Sequence, residues 1–166
     1  MSASWALTAL GVGSNLGNRL LNLRTALRHL KETAKLEVAE TSDVFETAPW
    51  GVTDQPYFLN ACILVKCGLS PEELLTSLKS VEAKMGRAAA RRWGERVIDL
   101  DILTMDSLVR DAPDLHIPHK DLHRRGFVLI PLAQILPLWV HPVTGRTVNE
   151  MASMFRDPEP VRICRL

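Results

Sequence analysis

Cysteine is scarce in this 166-residue chain, which carries only Cys62, Cys67 and Cys164. An odd number without metal-ligand spacing argues against a disulfide framework and a zinc-thiolate site. Cys62 and Cys67 are five apart in an apolar, strand-like run, so they point to opposite faces and read as buried free thiols of a reducing compartment. An excess of charge of one sign is missing too. Twenty Lys and Arg stand against 19 Asp and Glu, a net charge of +1, which excludes a broad basic surface for nucleic acid or membrane. Long apolar runs are absent: the longest, 127–140, spans fourteen residues broken by Pro131, Gln134 and Pro137, too few to cross a bilayer. No positive residue precedes Arg19, so no secretory leader is expected, and the chain reads as a cytoplasmic monomer. Neither common nucleotide cradle occurs, because there is no Walker-type loop and Leu16 stands where a dinucleotide fingerprint needs its third glycine.

Hydrophobic content is ordinary, at 46% apolar and 23% charged residues, and a chain of this length buries one sizeable core. Residues 5–12 read as a strand that ends in a glycine-rich loop. Leu20, Leu23, Leu27 and Leu30 then recur at helical spacing. Residues 36–46 predict a weaker strand, 47–56 a loop with two prolines, and 58–67 a strand with Ala61, Ile63 and Val65 on one face. Ser70, Pro71 and Glu73 spell a helix start with a capping box, Leu74, Leu78, Val81 and Met85 its buried stripe, and Gly86 its end. Residues 96–104 predict another strand, with Ile98, Leu100 and Ile102 on its apolar face. The order β-α-β-β-α-β is that of a ferredoxin-like α+β sandwich, an antiparallel sheet with helices on one face. Short helices are expected near 131–136 and 147–155, with an extra C-terminal hairpin, in a single domain over residues 1–166.

The near-zero net charge hides a dipole. Lys84, Arg87, Arg91, Arg92 and Arg96 face only Glu95 over 84–96, whereas six aspartates face only Arg110 and Lys120 over 97–121. Asp99 and Asp101 are two apart on a strand, so both carboxylates leave one face, roughly 6 to 7 Å apart. Paired hard-oxygen ligands suit Mg²⁺, which completes its shell with substrate phosphates, and guanidinium forks suit the remaining phosphate oxygens. His116, His119 and His123 are interrupted by Pro118 and do not make a zinc cluster. One of them could instead donate to a phosphate beside Arg124 and Arg125. Asn60, in a strand of Ala, Cys, Ile and Val, is expected to be buried with a hydrogen-bond partner.

Four blocks, 13–17 (GSNLG), 47–51 with 55–60 (TAPWG and QPYFLN), 92–101 (RWGERVIDLD) and 118–127 (PHKDLHRRGF), resemble the 6-hydroxymethyl-7,8-dihydropterin pyrophosphokinase family of folate biosynthesis. The resemblance runs from Leu10 to about Met151. It implies an ATP-dependent diphosphotransferase that moves the β,γ-diphosphate of ATP to the pterin hydroxymethyl group, with two Mg²⁺ ions on Asp99 and Asp101. It implies catalytic roles for Asp99, Asp101, Arg92 and Arg96. Nucleotide contacts would come from Glu82, Arg92, Trp93, Arg96, Ile102, His119 and Arg125, and pterin contacts from Thr47, Pro49, Trp50, Phe58, Asn60 and Phe127. Asp99 is the candidate acceptor of the hydroxyl proton. Departures from the family pattern are Ala48, Glu95, Lys120 and a loop between Arg87 and Arg92 one residue short, for which Arg91 could substitute. The same fold also serves single-stranded RNA recognition, but such modules stack bases on aromatics of central strands, and 60–66 carries none.

Overall fold

The computed structural model describes residues 5–86, 94–155 and 160–166. Its first seven elements are the six of the predicted order with the strand expected over 36–46 divided in two: β1 (Ala6–Ser14), α1 (Arg19–Lys31), β2 (Leu36–Thr41), β3 (Asp43–Thr47), β4 (Phe58–Cys67), α2 (Pro71–Lys84) and β5 (Asp99–Met105). A hairpin of β6 (Arg110–Ala112) and β7 (Leu115–Ile117), helices α3 (Gly126–Ile135) and α4 (Val148–Ala152), and β8 (Val161–Arg165) complete it. The sheet runs β5-β1-β4-β3-β8, with β2 beside β3 along β4, and its pairings are antiparallel.

Local signals explain the two long helices. The Asn18 side chain accepts from Leu21 N at the start of α1. Ser70 and Glu73 form the expected reciprocal capping box on α2, and Gly86, at φ +82°, provides the left-handed residue that ends it. Both helices press leucines onto one sheet face. Leu10, Val12, Ile63, Val65, Leu100 and Ile102 pack there against Leu23, Leu27 and Leu30 of α1 and Leu74, Leu78 and Val81 of α2. Each such side chain contributes about 1.5 to 3 kcal/mol of burial.

The expectation of helices on one face needs correction, because α3 and α4 cover part of the other. Val128, Leu129, Leu132 and Ile135, with Val148 and Met151, pack on Ala9, Cys62, Leu64 and Leu103. Thus Cys62 and Cys67 do lie on opposite faces. Helix α3 starts at Gly126, ahead of the predicted start, and holds Pro131 inside it; the ring forgoes one backbone bond of the helix and is buried with the apolar side chains of the same segment. The stretch 36–46 breaks at Ser42, whose backbone N–H and side-chain oxygen both engage the Cys62 backbone. Strand β1 runs through the glycines to Ser14 where a loop was expected. Strand β5 begins at Asp99 and leaves Arg96 in a loop.

Among the described residues no helix is long and apolar enough to cross a membrane.

Candidate active site

The second sheet face is only half covered, and the uncovered half is built by register. Gly13 pairs with Asn60 on β4 and with Asp99 on β5; Gly11 pairs with Cys62 and with Asp101. Directly opposed residues share a face, so these six positions line up in two rows across three strands. The strands are about 5 Å apart, which places the acid pair roughly 10 Å from Asn60 and Cys62 with bare glycine between them. A Cβ at position 13 would lie 2.8 Å from Asn60 Oδ1. The glycines thus keep open a cavity of about 320 Å³, whose walls include Thr47, Trp50, Phe58, Asn60, Arg96, Asp99, Asp101, His119, Arg125 and Phe127.

At the acid end, Arg96 Nη1 lies 2.7 Å from Asp99 Oδ1. Asp101 has 39% of its side-chain surface open, yet protein surrounds it otherwise. Burial, then the Asp99 carboxylate, pushes its carboxyl up to about 7, with Glu82 adding to the rise and Arg125 and Arg96 opposing it. Two carboxylates this close, one of them largely desolvated, repel each other and favour a bound cation between them. Among the described residues no group of three or more His, Cys, Asp or Glu could hold a metal. Two carboxylates of adjacent same-face positions are hard-oxygen donors of the kind that fit Mg²⁺ completing its shell with water and substrate phosphates.

His119 is brought in by its backbone N–H, which donates to Leu103 O at 2.9 Å. Its Nδ1 accepts from Asp121 N at 3.2 Å, which leaves Nε2 as the protonated nitrogen of the neutral ring. Nε2 lies 4.0 Å from Asp101 Oδ2. Burial and then the Arg125 charge hold the imidazole down to about 4, so the contact is not an ion pair at neutral pH. His119 is instead a neutral donor aimed at the acid end.

At the other end, Asn60 Nδ2 donates to Thr47 Oγ1 at 2.7 Å, which supplies the partner expected for a buried amide. Phe58 faces Thr47 across the β3–β4 pair, and Phe127 enters from the first turn of α3. The Arg125 guanidinium lies 4.8 Å from the Trp50 ring centroid and 5.7 Å from that of Phe127, a cation–π arrangement. It also contacts Asp121 Oδ2 at 3.3 Å.

Ten of the predicted residues therefore meet in one cavity, and three others stand behind it. Glu82, on α2, accepts from Leu100 N at 2.7 Å and braces β5 between the two aspartates. Ile102 turns its side chain into the core under the helices, so only its backbone can meet a ligand. Pro49 is buried outside the cavity lining. Arg92 and Trp93, with Arg87 and Arg91, lie outside the described residues. Sequence reasoning missed the glycine floor, although its signal was available: Gly11 and Gly13 repeat with the same period of two as Asp99 and Asp101. It also assigned no role to Gln55, which stands in the wall with Lys120.

The sequence matches the family described as 7,8-dihydro-6-hydroxymethylpterin-pyrophosphokinase (HPPK) over residues 9–137. A Methylorubrum extorquens protein named 2-amino-4-hydroxy-6-hydroxymethyldihydropteridine pyrophosphokinase is 43% identical over 152 residues, covering 92% of this chain and 94% of that one. The Haemophilus influenzae protein of the same name is 34% identical over 154 residues, covering 93% and 96%. Among solved structures, a Plasmodium falciparum HPPK-DHPS with pterin and p-hydrobenzoate has a TM-score of 0.73 at 18% identity, covering 93% of this chain and 45% of that one. That likeness concerns the fold, and this chain spans less than half the length of the solved one.

Proposed function

The chain belongs to the 7,8-dihydro-6-hydroxymethylpterin-pyrophosphokinase family, and from that premise we propose that its cavity joins ATP to 6-hydroxymethyl-7,8-dihydropterin as one catalytic domain. The pterin hydroxyl oxygen attacks the β-phosphorus, the bond from that phosphorus to the α–β bridging oxygen breaks, and AMP leaves with the bridging oxygen. The hydroxyl proton passes to the Asp99 carboxylate and from there to water, and the product is the pterin diphosphate used in folate synthesis. The observation that carries this reading is the glycine-floored trough, with an acid pair at one end and a buried amide at the other.

The two ends suit two ligands. Asn60 and Thr47 offer hydrogen bonds to the polar edge of a flat heterocycle, while Phe58, Phe127 and Trp50 offer π-faces. Asp99 and Asp101 would hold two Mg²⁺ ions, which supply charge neutralisation of the triphosphate and orientation of its oxygens when bound. Arg96 and the Nε2–H of His119 stand at the same end and donate to phosphate oxygens, while Arg125, between the Trp50 and Phe127 rings and the acid pair, adds its charge from the junction of the two ends. Arg92 and Trp93 are proposed to add nucleotide contacts. Glu82 acts by keeping β5 in place. Much of the rate gain comes from holding the hydroxyl and the β-phosphorus in line.

Incubation with ATP, Mg²⁺ and the hydroxymethyl dihydropterin, followed by nucleotide separation, should yield AMP in step with pterin diphosphate. ADP as the nucleotide product, or no nucleotide product at all, rules the proposal out.

A further inference from the structure

Asn15 does not itself line the trough, yet it bonds to residues of two of its walls, Arg96 and Gln55. The residue is 2% exposed. Its Oδ1 accepts from Arg96 N at 2.7 Å, and its own backbone N–H donates to Arg96 O at 3.1 Å. Its Nδ2 donates to Gln55 Oε1 at 3.0 Å and to Pro56 O at 3.2 Å. A backbone donor on one side and a backbone carbonyl on the other fix which way the amide points. Arg96 belongs to the segment 94–98, which feeds the acid end. Gln55 and Pro56 belong to the 48–57 loop that carries Trp50. Arg19 Nη1 adds a bond to Tyr57 O at 2.8 Å, so the loop is fastened at its C-terminal limb.

We propose that Asn15 is a positioning residue that sets the nucleotide wall and the pterin wall of the cavity relative to each other, each through one half of its amide. The inference rests on the two-ligand reading of the trough given above. Only asparagine offers a donor and an acceptor at this reach. Aspartate keeps the acceptor for Arg96 and loses the donor for Gln55 and Pro56, alanine loses both, and glutamine carries the amide one methylene farther, out of register with both walls.

The test compares wild type, Asn15→Asp and Asn15→Ala by kcat, by KM for each substrate and by amide hydrogen exchange. Asn15→Asp should raise the pterin KM about tenfold, the size of one lost buried hydrogen bond, while the nucleotide KM stays within about a factor of two. Asn15→Ala should lower kcat/KM for both substrates about a hundredfold. Exchange should quicken over 48–57 alone in the aspartate variant and over both 48–57 and 94–98 in the alanine variant. If Asn15→Asp does not fold, Gln55→Ala takes its place, with a smaller rise in the pterin KM alone. Equal shifts in both KM values in the aspartate variant, or wild-type kinetics in either Asn15 variant, overturn the proposal. If wild type releases no AMP, the functional reading falls by itself; the exchange pattern then decides the role of Asn15, and unchanged exchange in both variants overturns it.

Discussion

The two faces of the central sheet are made from the same strands and do opposite work. Toward α1 and α2, alternate residues of β1, β4 and β5 are Leu10, Val12, Ile63, Val65, Leu100 and Ile102, packed without interruption. One position over, the same strands present Gly11, Gly13, Asn60, Cys62, Asp99 and Asp101 beneath a cavity. The packed face has its aliphatic side chains out of water; the open face keeps two carboxylates and an amide where ligands can reach them. A β-strand separates these tasks because its side chains alternate with a period of two. Stability and binding can then be changed almost independently.

The strongest test of that separation is to swap effects between faces. Asp99→Asn and Asp101→Asn should each lower kcat about a thousandfold or more, because the charge that holds the metal–phosphate end is lost, while thermal unfolding stays within a few degrees of wild type. Ile63→Ala on the packed face should do the reverse, costing about 2 to 5 kcal/mol of stability with kcat of the folded fraction retained. An Ile63→Ala protein of normal stability, or an aspartate variant that turns over normally, would break the division.

A smaller effect is expected at the floor. Gly13→Ala puts a methyl group 2.8 Å from Asn60 Oδ1, so the amide must move, at a cost of about 1 to 3 kcal/mol shared between stability and pterin binding. Gly11→Ala meets only the Leu103 side chain at 3.4 Å and should be milder. Calorimetric pterin titrations of the two variants check this order.

The smallest effect is on the pH dependence of stability in metal-free protein with chelator present. Asp101 is pushed up to about 7 from an ordinary 3.8, so the folded state holds its proton more tightly and stability falls as pH rises from about 4 to about 7. His119, held at about 4 against an ordinary 6.5, acts oppositely, and stability rises between those values. The two slopes oppose each other below pH 6.5. Subtraction isolates the carboxyl: the melting temperature of Asp101→Asn minus that of wild type should grow from pH 4 to pH 7 and then level off. A constant difference contradicts the raised carboxyl.

What could be read beforehand follows from the range of the interaction. The capping box of α2, the leucine stripe of α1 and the alternation of β4 between the two sheet faces are set by neighbours two to four residues away, and they appear as expected. So does the shared face of Asp99 and Asp101. The continuation of β1 past Val12 to Ser14 went unread, because Gly13 favours a loop locally and only pairing with strands on both sides holds it extended. The placement of α3 and α4 on the second face depends on tertiary packing of a strongly apolar segment that lacks a one-sided pattern. Asn15 was visible only as part of a motif, since its partners lie 40, 41 and 81 residues away.

The central claim is that one trough holds two ligands at separate ends, and calorimetric titration of Gly13→Ala and Asp101→Asn with pterin and with a Mg²⁺-bound, non-hydrolysable ATP analogue tests it most directly. Gly13→Ala should lose pterin affinity and keep nucleotide affinity, whereas Asp101→Asn should weaken the nucleotide and keep the pterin. Parallel loss of both ligands in each variant, or loss of neither, would contradict it.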